Sequence, residues 1–267
     1  MPRLRAEDAA RRAASGHGPD FLEAVARGLR VIHAFGTERR PMTLSDVARA
    51  ADMPKPTVGR VLHTLEVLGY VECEGRLFRL TPHVLTLANA FLGSDPVSAI
   101  VQPLCERISR TIGESCFAGV LDGQHVVTIA HATPRHPMNL ATSIGLRHPA
   151  FATAAGRVLL AALPDAELDA WLAELKPEAL TFRTMIDRAA LREAVLRCRE
   201  DGHCVTDQES VLGYRAVAFP LKRRDGRTVG ALSTPLRIEH CEREPDLLER
   251  CTLMLRKETT QLARELP

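Results

Sequence analysis

Long hydrophobic runs are missing from this sequence. Its 267 residues contain no apolar stretch that approaches the roughly 20 consecutive residues of a membrane-spanning helix, so we expect no membrane partner. The opening residues, Met1 to Arg5, carry charge in place of the apolar segment of a signal peptide. We therefore expect the protein to be cytoplasmic.

Cysteine spacings that hold metals or disulfide frameworks are also missing. The sequence has seven cysteines, so they cannot all pair in disulfides within the chain, and no C-x-x-C occurs among them. The adjacent pairs His203-Cys204 and His240-Cys241 are too far apart in sequence to show the spacing of metal ligands. We expect the thiols to be buried and reduced, with no metal site and no cofactor.

The common catalytic motifs are absent as well. The sequence has no G-x-S-x-G elbow, no H-E-x-x-H, no G-x-G-x-x-G and no P-loop, so it indicates neither a nucleophile nor a phosphate cradle. The 35 basic and 33 acidic residues give a net charge of +2, which indicates no partner by itself because nucleic-acid binders show a clustered patch. We predict that the protein is not an enzyme.

The composition that remains is that of a globular protein. Hydrophobic residues make up 45% and charged residues 25%, and the length fits one large domain or two small ones. Residues 1–19 carry arginines among alanines without an apolar face, which predicts a flexible basic arm. This arm is either a plain disordered terminus or a contact to DNA phosphate or the minor groove.

Residues 20–81 have the pattern of a winged helix-turn-helix. Apolar residues recur at helical spacing in segments that glycine, proline and aspartate interrupt. The predicted elements are a helix between Asp20 and Gly36, short helices over 42–51 and 55–68, and hairpin strands over 70–73 and 76–80. Thr81-Pro82, a hydroxyl cap followed by proline, predicts a linker helix over 82–95.

The second short helix has the features of a DNA reader. In a winged helix-turn-helix this helix fits the major groove, and its N-terminal residues meet base edges. The N–H groups around Thr57 can meet a phosphate, and Arg60 offers guanine two donors. The alternatives are ordinary solvated residues and a protein-binding winged helix. The predicted DNA-binding residues are Thr43, Lys55, Pro56, Thr57, Arg60, Thr64 and, on the hairpin, Arg76.

Residues 96–267 mix strand and helix signals, which predicts a single α+β unit. Asp122-Gly123 and Arg224-Asp225-Gly226 are typical of hairpin turns. The predicted elements are helices over 97–112, 153–162, 165–175, 187–200 and 246–266, and strands over 115–121, 125–130, 138–143, 215–221 and 228–234.

Several motifs occur together between Phe21 and about Leu262. They are Ala26 to Ile32, Leu44 to Ala48, Lys55 to Leu65, Leu68 to Val71, Ala155 to Ala161, Thr206 to Glu209 and Ala216 to Leu221. In these motifs the sequence resembles the IclR-type bacterial transcriptional regulators. It is most similar to the branch that regulates aromatic-acid breakdown through the β-ketoadipate pathway, on the motifs Phe91 to Ser94, Leu121 to Gly123, Pro149 to Thr153 and Asp207 to Glu209. Gly59 and the segment from Ala231 to Pro235 depart from the family pattern.

The resemblance implies a fold and a ligand site. The fold is an α+β protein with an N-terminal winged helix-turn-helix, a linker helix and a C-terminal GAF/PAS-like effector-binding domain over 96–267. The effector would lie between the central sheet and the 153–162 helix. The implied effector-binding residues are Phe151, Ala152, Gly156, Asp207, Ala216, Ser233 and Pro235, with Met138 and Leu140 as further apolar walls. Structural alternatives are close helix–sheet packing for Gly156, a turn cap for Asp207 and an ordinary strand position for Ser233.

The resemblance also implies a function. The protein would be a sequence-specific transcriptional regulator, a homodimer or dimer of dimers on a palindromic operator of double-stranded DNA, whose binding a small-molecule carboxylate modulates. Ala216 stands where glyoxylate-binding relatives carry a polar or thiol side chain, which favours an aromatic acid or a β-ketoadipate-pathway metabolite. The carboxylate would meet helix N-terminal amides near 153–156 or an arginine. The alternatives are a small non-aromatic acid, such as glyoxylate or a sugar acid, and an uncharacterised enzyme.

Overall fold

The computed structural model describes residues 18, 20–38, 40–94, 96–134 and 143–266. The chain forms two compact units, Met1–Phe91 and Leu92–Pro267. The basic arm that the sequence predicts, apart from Gly18, lies outside the described residues. So do Met138 and Leu140, together with nearly all of the strand predicted over 138–143.

The first unit packs helices around a small core and adds a short antiparallel sheet with strand order β1-β3-β2. Its elements are α1 (Glu23–Glu38), β1 (Met42–Thr43), α2 (Leu44–Ala50), α3 (Lys55–Val67), β2 (Val71–Glu74) and β3 (Leu77–Leu80), followed by a 3₁₀ turn (Pro82–Val84) and α4 (Leu85–Ser94). Val31, Val47, Val58 and Leu62 are buried together where the helices face one another. The winged helix-turn-helix is confirmed.

A capping box sets the start of α2. The Thr43 hydroxyl accepts a hydrogen bond from the Asp46 N–H at 3.3 Å, and the Asp46 carboxylate accepts one from the Thr43 N–H at 3.1 Å. The Thr43 hydroxyl also donates to the Asp46 carboxylate, and this bond, together with the one from the Thr43 N–H, lowers the pKa of Asp46. The helix predicted over 42–51 therefore begins at Leu44. The prediction was wrong for Met42 and Thr43, which pair with β3 as a strand instead.

The second unit is built on one antiparallel sheet with strand order β6-β5-β4-β9-β8-β7. Its strands are β4 (Cys116–Asp122), β5 (His125–Ala132), β6 (Arg147–Pro149), β7 (Cys204–Asp207), β8 (Tyr214–Lys222) and β9 (Thr228–Arg237). Its helices are α5 (Pro96–Ile112), α6 (Ala154–Ala161), α7 (Asp165–Glu174), α8 (Arg188–Asp201), α9 (Ile238–Arg243) and α10 (Leu247–Leu262), with a 3₁₀ turn (Ala150–Ala152) before α6.

The sheet has a different apolar layer on each face. On one face α5 and α10 bury Leu104 and Leu255 against Leu232 of β9. On the other face α6 and α8 bury Val158 and Leu191 in a cluster that also holds Phe117 of β4. The second face is hereafter the α6 face. Two layers of helix around one sheet confirm the predicted α+β class.

The sequence did not predict the short elements β6, β7, α9 and the Ala150–Ala152 turn. Each has six residues or fewer, and hydrophobic periodicity is informative over windows of about 11–18 residues. The closing helix predicted over 246–266 ends earlier, at Leu262.

In the described part of the chain, no helix is both long enough and apolar enough to cross a bilayer. Among the same residues, no group of three or more histidine, cysteine, aspartate or glutamate side chains is placed to hold a metal ion. The seven cysteines are free thiols; five are buried and Cys241 is half-buried, but Cys73 is exposed, so the expectation that the thiols are buried was wrong for Cys73.

Candidate DNA-binding and effector-binding sites

Helix α3 presents one apolar and one polar side. Val58, Leu62 and Leu65 are buried in the first unit, whereas Lys55 and Arg60 are exposed. The polar side also holds exposed Pro56 and Thr64 and half-buried Thr57. This division follows from the helical period, which places residues three and four apart on one face. Most of the predicted reading residues therefore lie on the solvent side of α3.

The N-terminus of α3 is open to an anion. Its N-cap is Pro54, whose side chain has no acceptor, so no side chain caps the first turn. The N–H groups of Thr57 and Val58 bond the Pro54 carbonyl at 2.9 and 3.1 Å, so the expectation that the Thr57 N–H meets a phosphate was wrong. Pro56 has no N–H, and in the described chain the Lys55 N–H is the free donor of the first turn. The positive end of the helix dipole therefore faces solvent beside Lys55, an arrangement suited to a phosphate.

The predicted DNA-binding cations differ from their neighbours in having no ion-pair partner. Arg49 pairs with Asp46 at 3.2 Å and Arg79 pairs with Glu72 at 2.7 Å. In contrast, the predicted DNA-binding residues Lys55, Arg60 and Arg76 form no ion pair with any residue that the structure describes. Arg76 lies in the β2–β3 turn, just before the strand that was predicted to include it. Unpaired, exposed cations can meet phosphates without first losing a protein partner.

Two threonines of the predicted set have structural roles. Thr43 is the N-cap of α2, as described above, and its hydroxyl donates to Asp46 Oδ2 at 2.7 Å. Thr64 donates its hydroxyl to the Arg60 carbonyl at 2.9 Å. DNA contact by these two residues stays a prediction.

Several predicted effector residues come together on the α6 face. Phe151 and Ala152 form the buried 3₁₀ turn before α6. Ala216 of β8 pairs in register with Pro235 of β9, and Ser233 lies two residues before Pro235. The sheet and turn surfaces at this position consist largely of small side chains.

Gly156 is explained by packing. A Cβ atom at this position would lie 2.0 Å from the carbonyl oxygen of Ala150, a distance no side chain can accept. The Gly156 N–H also donates to the Thr153 hydroxyl at 3.1 Å, which caps α6. Glycine therefore lets α6 approach the preceding turn, and ligand contact by Gly156 stays a prediction.

Asp207 lies apart from the other predicted effector residues. Its carboxylate accepts hydrogen bonds from Arg183 at 2.6 Å and from Arg215 at 3.2 Å. It lines an open cavity of about 610 Å³ that none of the other described effector candidates lines. Asp207 therefore carries two ion pairs near the end of β7, and its contact with an effector stays a prediction.

Three polar residues on the α6 face were not predicted. Thr128 Oγ1, His131 Nδ1 and His148 Nε2 are buried atoms with no hydrogen-bond partner among the described residues. His131 is the register partner of Phe117, and the ring centroid of His148 lies 6.0 Å from that of Phe117. Burial lowers the pKa of His148, which favours its neutral form. These atoms can hydrogen-bond the polar groups of a ligand.

The alternation of side chains along β5 could have placed Thr128 on the α6 face, but it would have placed His131 on the opposite face. The pairing of β4 with β5 shifts register between Ala118 and Gly119. Thr128 therefore pairs with Gly119 and His131 with Phe117, and both lie on the α6 face although they are three residues apart. Strict alternation would place them on opposite faces.

A buried ion pair joins two of the motifs used for the family resemblance. Arg157 of α6 donates to both carboxylate oxygens of Glu209, at 2.7 and 2.5 Å, and these side chains are 4% and 10% exposed. Arg157 Nε also donates to the Phe151 carbonyl at 2.9 Å, and Glu209 accepts from the Met185 N–H at 3.2 Å. The pair therefore holds the Phe151 turn beside the α6 face.

The chain is similar to known proteins over most of its length. A model of the C-terminal domain of bacterial transcriptional regulator IclR matches residues 89–264, and a model of the IclR helix-turn-helix domain matches residues 24–75. The Pca regulon regulatory protein of Pseudomonas putida is 37% identical over 233 residues, which cover 87% of this chain and 80% of that protein.

Solved structures share the fold. The crystal structure of a Rhodococcus sp. RHA1 protein described as a transcriptional regulator matches with a TM-score of 0.80 and 40% identity, over 92% of this chain and 98% of that one. An IclR homologue from Microbacterium hydrocarbonoxydans, crystallised with 4-hydroxybenzoate, matches with a TM-score of 0.79 and 22% identity, over 91% of this chain and 99% of that one. The second comparison is a likeness of fold.

Proposed function

The chain belongs to the IclR family of bacterial transcriptional regulators, and from that premise we propose that a small aromatic carboxylic acid controls its affinity for operator DNA. The observation that carries the effector half of this proposal is the α6 face. There, buried polar atoms of Thr128, His131 and His148 lie without partners beside Phe117 and small side chains. A buried polar atom without a partner costs free energy that a ligand can recover by bonding to it.

The DNA half of the proposal rests on α3 and the wing. We place Lys55 and the open N-terminus of α3 on phosphate, Arg60 on a base edge in the major groove, and Arg76 of the β2–β3 turn on the flanking backbone. Their exposure and their lack of ion-pair partners in the described chain support these roles.

Each surface of the α6 face contacts a different part of the acid in this proposal. The ring of the acid packs beside Phe117 and against the small residues of β8 and β9. The unpartnered atoms of Thr128 and His148 bond its ring substituent, and its carboxylate meets the amides of Ala154 and Ala155 in the first turn of α6. The likeness in fold to a homologue crystallised with 4-hydroxybenzoate makes that acid the first one to test.

We further propose a homodimer whose two α3 helices read a palindromic operator. An apolar stripe on the first unit supports it: Leu22, Val25 and Leu29 recur at helical spacing and are 69%, 56% and 48% exposed. A second copy would cover this stripe. Two-fold symmetry would then match the half-sites of the operator.

Fluorescence anisotropy on the DNA upstream of the protein's own gene tests the proposal. The protein is titrated at several salt concentrations, alone and with 4-hydroxybenzoate, protocatechuate, β-ketoadipate or glyoxylate. We expect tight, salt-sensitive binding that an aromatic acid changes and glyoxylate does not. A response to glyoxylate alone would transfer the effector to the non-aromatic class, and no response to any acid would remove the effector assignment.

A variant pair places the acid on the α6 face. His148→Phe keeps an aromatic ring but removes the hydrogen-bonding nitrogens, so the acid should bind it at least about fivefold more weakly while DNA binding without acid is unchanged. His203→Phe is the matched control, because His203 stacks on Phe219 and lies outside the proposed site. Equal acid affinity in both variants would contradict the placement.

A further inference from the structure

A second cleft in the C-terminal unit carries positive charge that DNA binding and effector binding leave unexplained. It has a volume of about 760 Å³ and opens between the β8–β9 turn, the end of β4 and the connection from α6 to α7. None of the described effector candidates lines it. It borders the α6 face at Leu121 and Leu159, but it is distinct from the proposed effector site and from the cavity beside Asp207.

Three cations converge on this cleft. Lys222, Arg223 and Arg227 line it, and none of them forms an ion pair with a residue that the structure describes. The Nε atom of Arg223 is buried and has no hydrogen-bond partner there. Glu167 is the one acidic side chain in the described lining, so positive charge is in excess. A buried guanidinium N–H without an acceptor is costly unless an anion supplies one.

The backbone of the β8–β9 turn brings two of these cations together. The Arg223 N–H bonds the Arg227 carbonyl at 2.9 Å, and the Gly226 N–H bonds the Arg223 carbonyl at 2.9 Å. Gly226 adopts a φ of 86°, which glycine accepts without strain. Arg223 and Arg227 therefore face each other at the base of the turn, whereas Arg224 lies beyond it and does not line the cleft.

The rest of the cleft is largely apolar. The larger aliphatic side chains in the lining are Val97, Val120, Leu121, Leu159, Leu163 and Val229. A bare inorganic anion would use the cations and leave this wall in water. The volume lies within the range of small-molecule sites, roughly 300–1,000 Å³.

We propose that this cleft binds a second small molecule, an organic carboxylate whose charged group meets Arg223 and Arg227 and whose apolar body lies along the wall. The carboxylate completes the hydrogen bonding of Arg223 Nε, and a bidentate contact to a guanidinium is its favoured geometry. Val97, in the first turn of α5, is part of the wall and follows the linker helix closely in the chain.

Isothermal titration of the full chain with octanoate, and separately with inorganic phosphate, tests this proposal. We expect octanoate to bind and phosphate to bind much more weakly, because the wall contributes only to octanoate. Arg223→Gln/Arg227→Gln should weaken octanoate binding about tenfold or more. Arg224→Gln removes the same charge from the same turn outside the cleft and should leave binding unchanged. Glu167→Gln should tighten it, since it removes the acidic group.

Competition with 4-hydroxybenzoate separates this cleft from the effector site. Saturating 4-hydroxybenzoate should leave octanoate affinity unchanged, and the double variant should bind 4-hydroxybenzoate normally, which also shows that it is folded. If the double variant is unfolded, the exposed single change Arg227→Gln replaces it, with a smaller expected loss. If 4-hydroxybenzoate does not bind at all, the effector proposal is wrong, whereas the octanoate titrations still test whether the cleft binds a carboxylate.

Three results would overturn the proposal. They are no octanoate binding by the unmodified protein, equal binding by that protein and the cleft variants, and equal losses in Arg224→Gln and Arg227→Gln. The last would mean that octanoate responds to the general charge of the turn.

Discussion

The buried Arg157–Glu209 ion pair should be one of the most sensitive positions of the second unit. Glu209→Leu keeps the approximate volume but removes the carboxylate that takes two of the Arg157 bonds, leaving the guanidinium with the Phe151 carbonyl. Because the Arg157 side chain is 4% exposed, water has little access to replace the lost partner. Removing one member of a buried pair costs about 3–5 kcal/mol, so we expect a loss of that size in the free energy of unfolding.

Arg157→Met should cost a similar amount, because it leaves the Glu209 carboxylate with one remaining donor, the Met185 N–H. The double variant Arg157→Met/Glu209→Leu should cost clearly less than the sum of the two single changes, since neither charge is then left buried alone. The difference is the coupling free energy of the pair.

Trp171 allows the unfolding free energies of these variants to be measured in the whole chain. It is the single tryptophan of the sequence, it lies in the second unit, and its indole N–H donates to the Gly123 carbonyl at 2.9 Å. Urea unfolding followed by its fluorescence therefore reports on that unit. Arg192→Met, which removes the exposed ion pair with Asp169, is the control and should leave the midpoint nearly unchanged. Additive losses, or a Glu209→Leu effect as small as that control, would refute the reasoning.

Four further results are expected. Arg60→Ala should weaken operator binding by about 1–3 kcal/mol and weaken binding to unrelated DNA much less. If fluorescence anisotropy shows equal losses of affinity for both DNAs, Arg60 is a phosphate contact. Gly59→Ala should stabilise the first unit by about 0.5–1 kcal/mol, because alanine loses less backbone entropy in a helix and its Cβ would lie 3.9 Å from its nearest neighbour. Its thermal midpoint should therefore rise, and a lower midpoint would contradict this. Burial lowers the pKa of His148 from 6.5, so below about that pH the unfolded chain binds a proton that the folded chain does not, and stability falls as pH falls. In urea titrations His148→Phe should lose less stability than the unmodified protein as the pH is lowered below 6.5. A pH profile identical to that of the unmodified protein would contradict this prediction. Leu87→Asp, on the exposed side of α4, should reduce dimer formation or the change in DNA affinity that the effector causes. If gel filtration and that change in affinity are both normal, the linker helix does not couple effector binding to DNA binding.

Local patterns predicted the first unit well. The breaks around Pro54 and Gly69 and the apolar spacing of α3 depend on residues within a turn or two of each other, so they can be read directly. The family resemblance and the α+β class were also available from the sequence and are confirmed. The start of α2 was misplaced by two residues, because the pairing of Met42 with Phe78 competes with the helix and lies far along the chain.

The effector site was predicted less completely. Phe151, Ala216, Ser233 and Pro235 were named from the resemblance, and their contact with an effector stays a prediction. The cleft beside Arg223 and Arg227 and the Arg157–Glu209 pair were not foreseen, because their parts come from distant segments; the two ion-pair residues are 52 positions apart.

The sequence by itself determined the order and type of most elements, because helical period, caps and turn residues act over a few positions. Only the tertiary structure decided which side chains face each other. A register shift beside Gly119 brings His131 opposite Phe117, and folding leaves the polar atoms of Thr128 and His148 buried without partners. Register and burial depend on pairings between distant strands, and no short stretch of sequence encodes them.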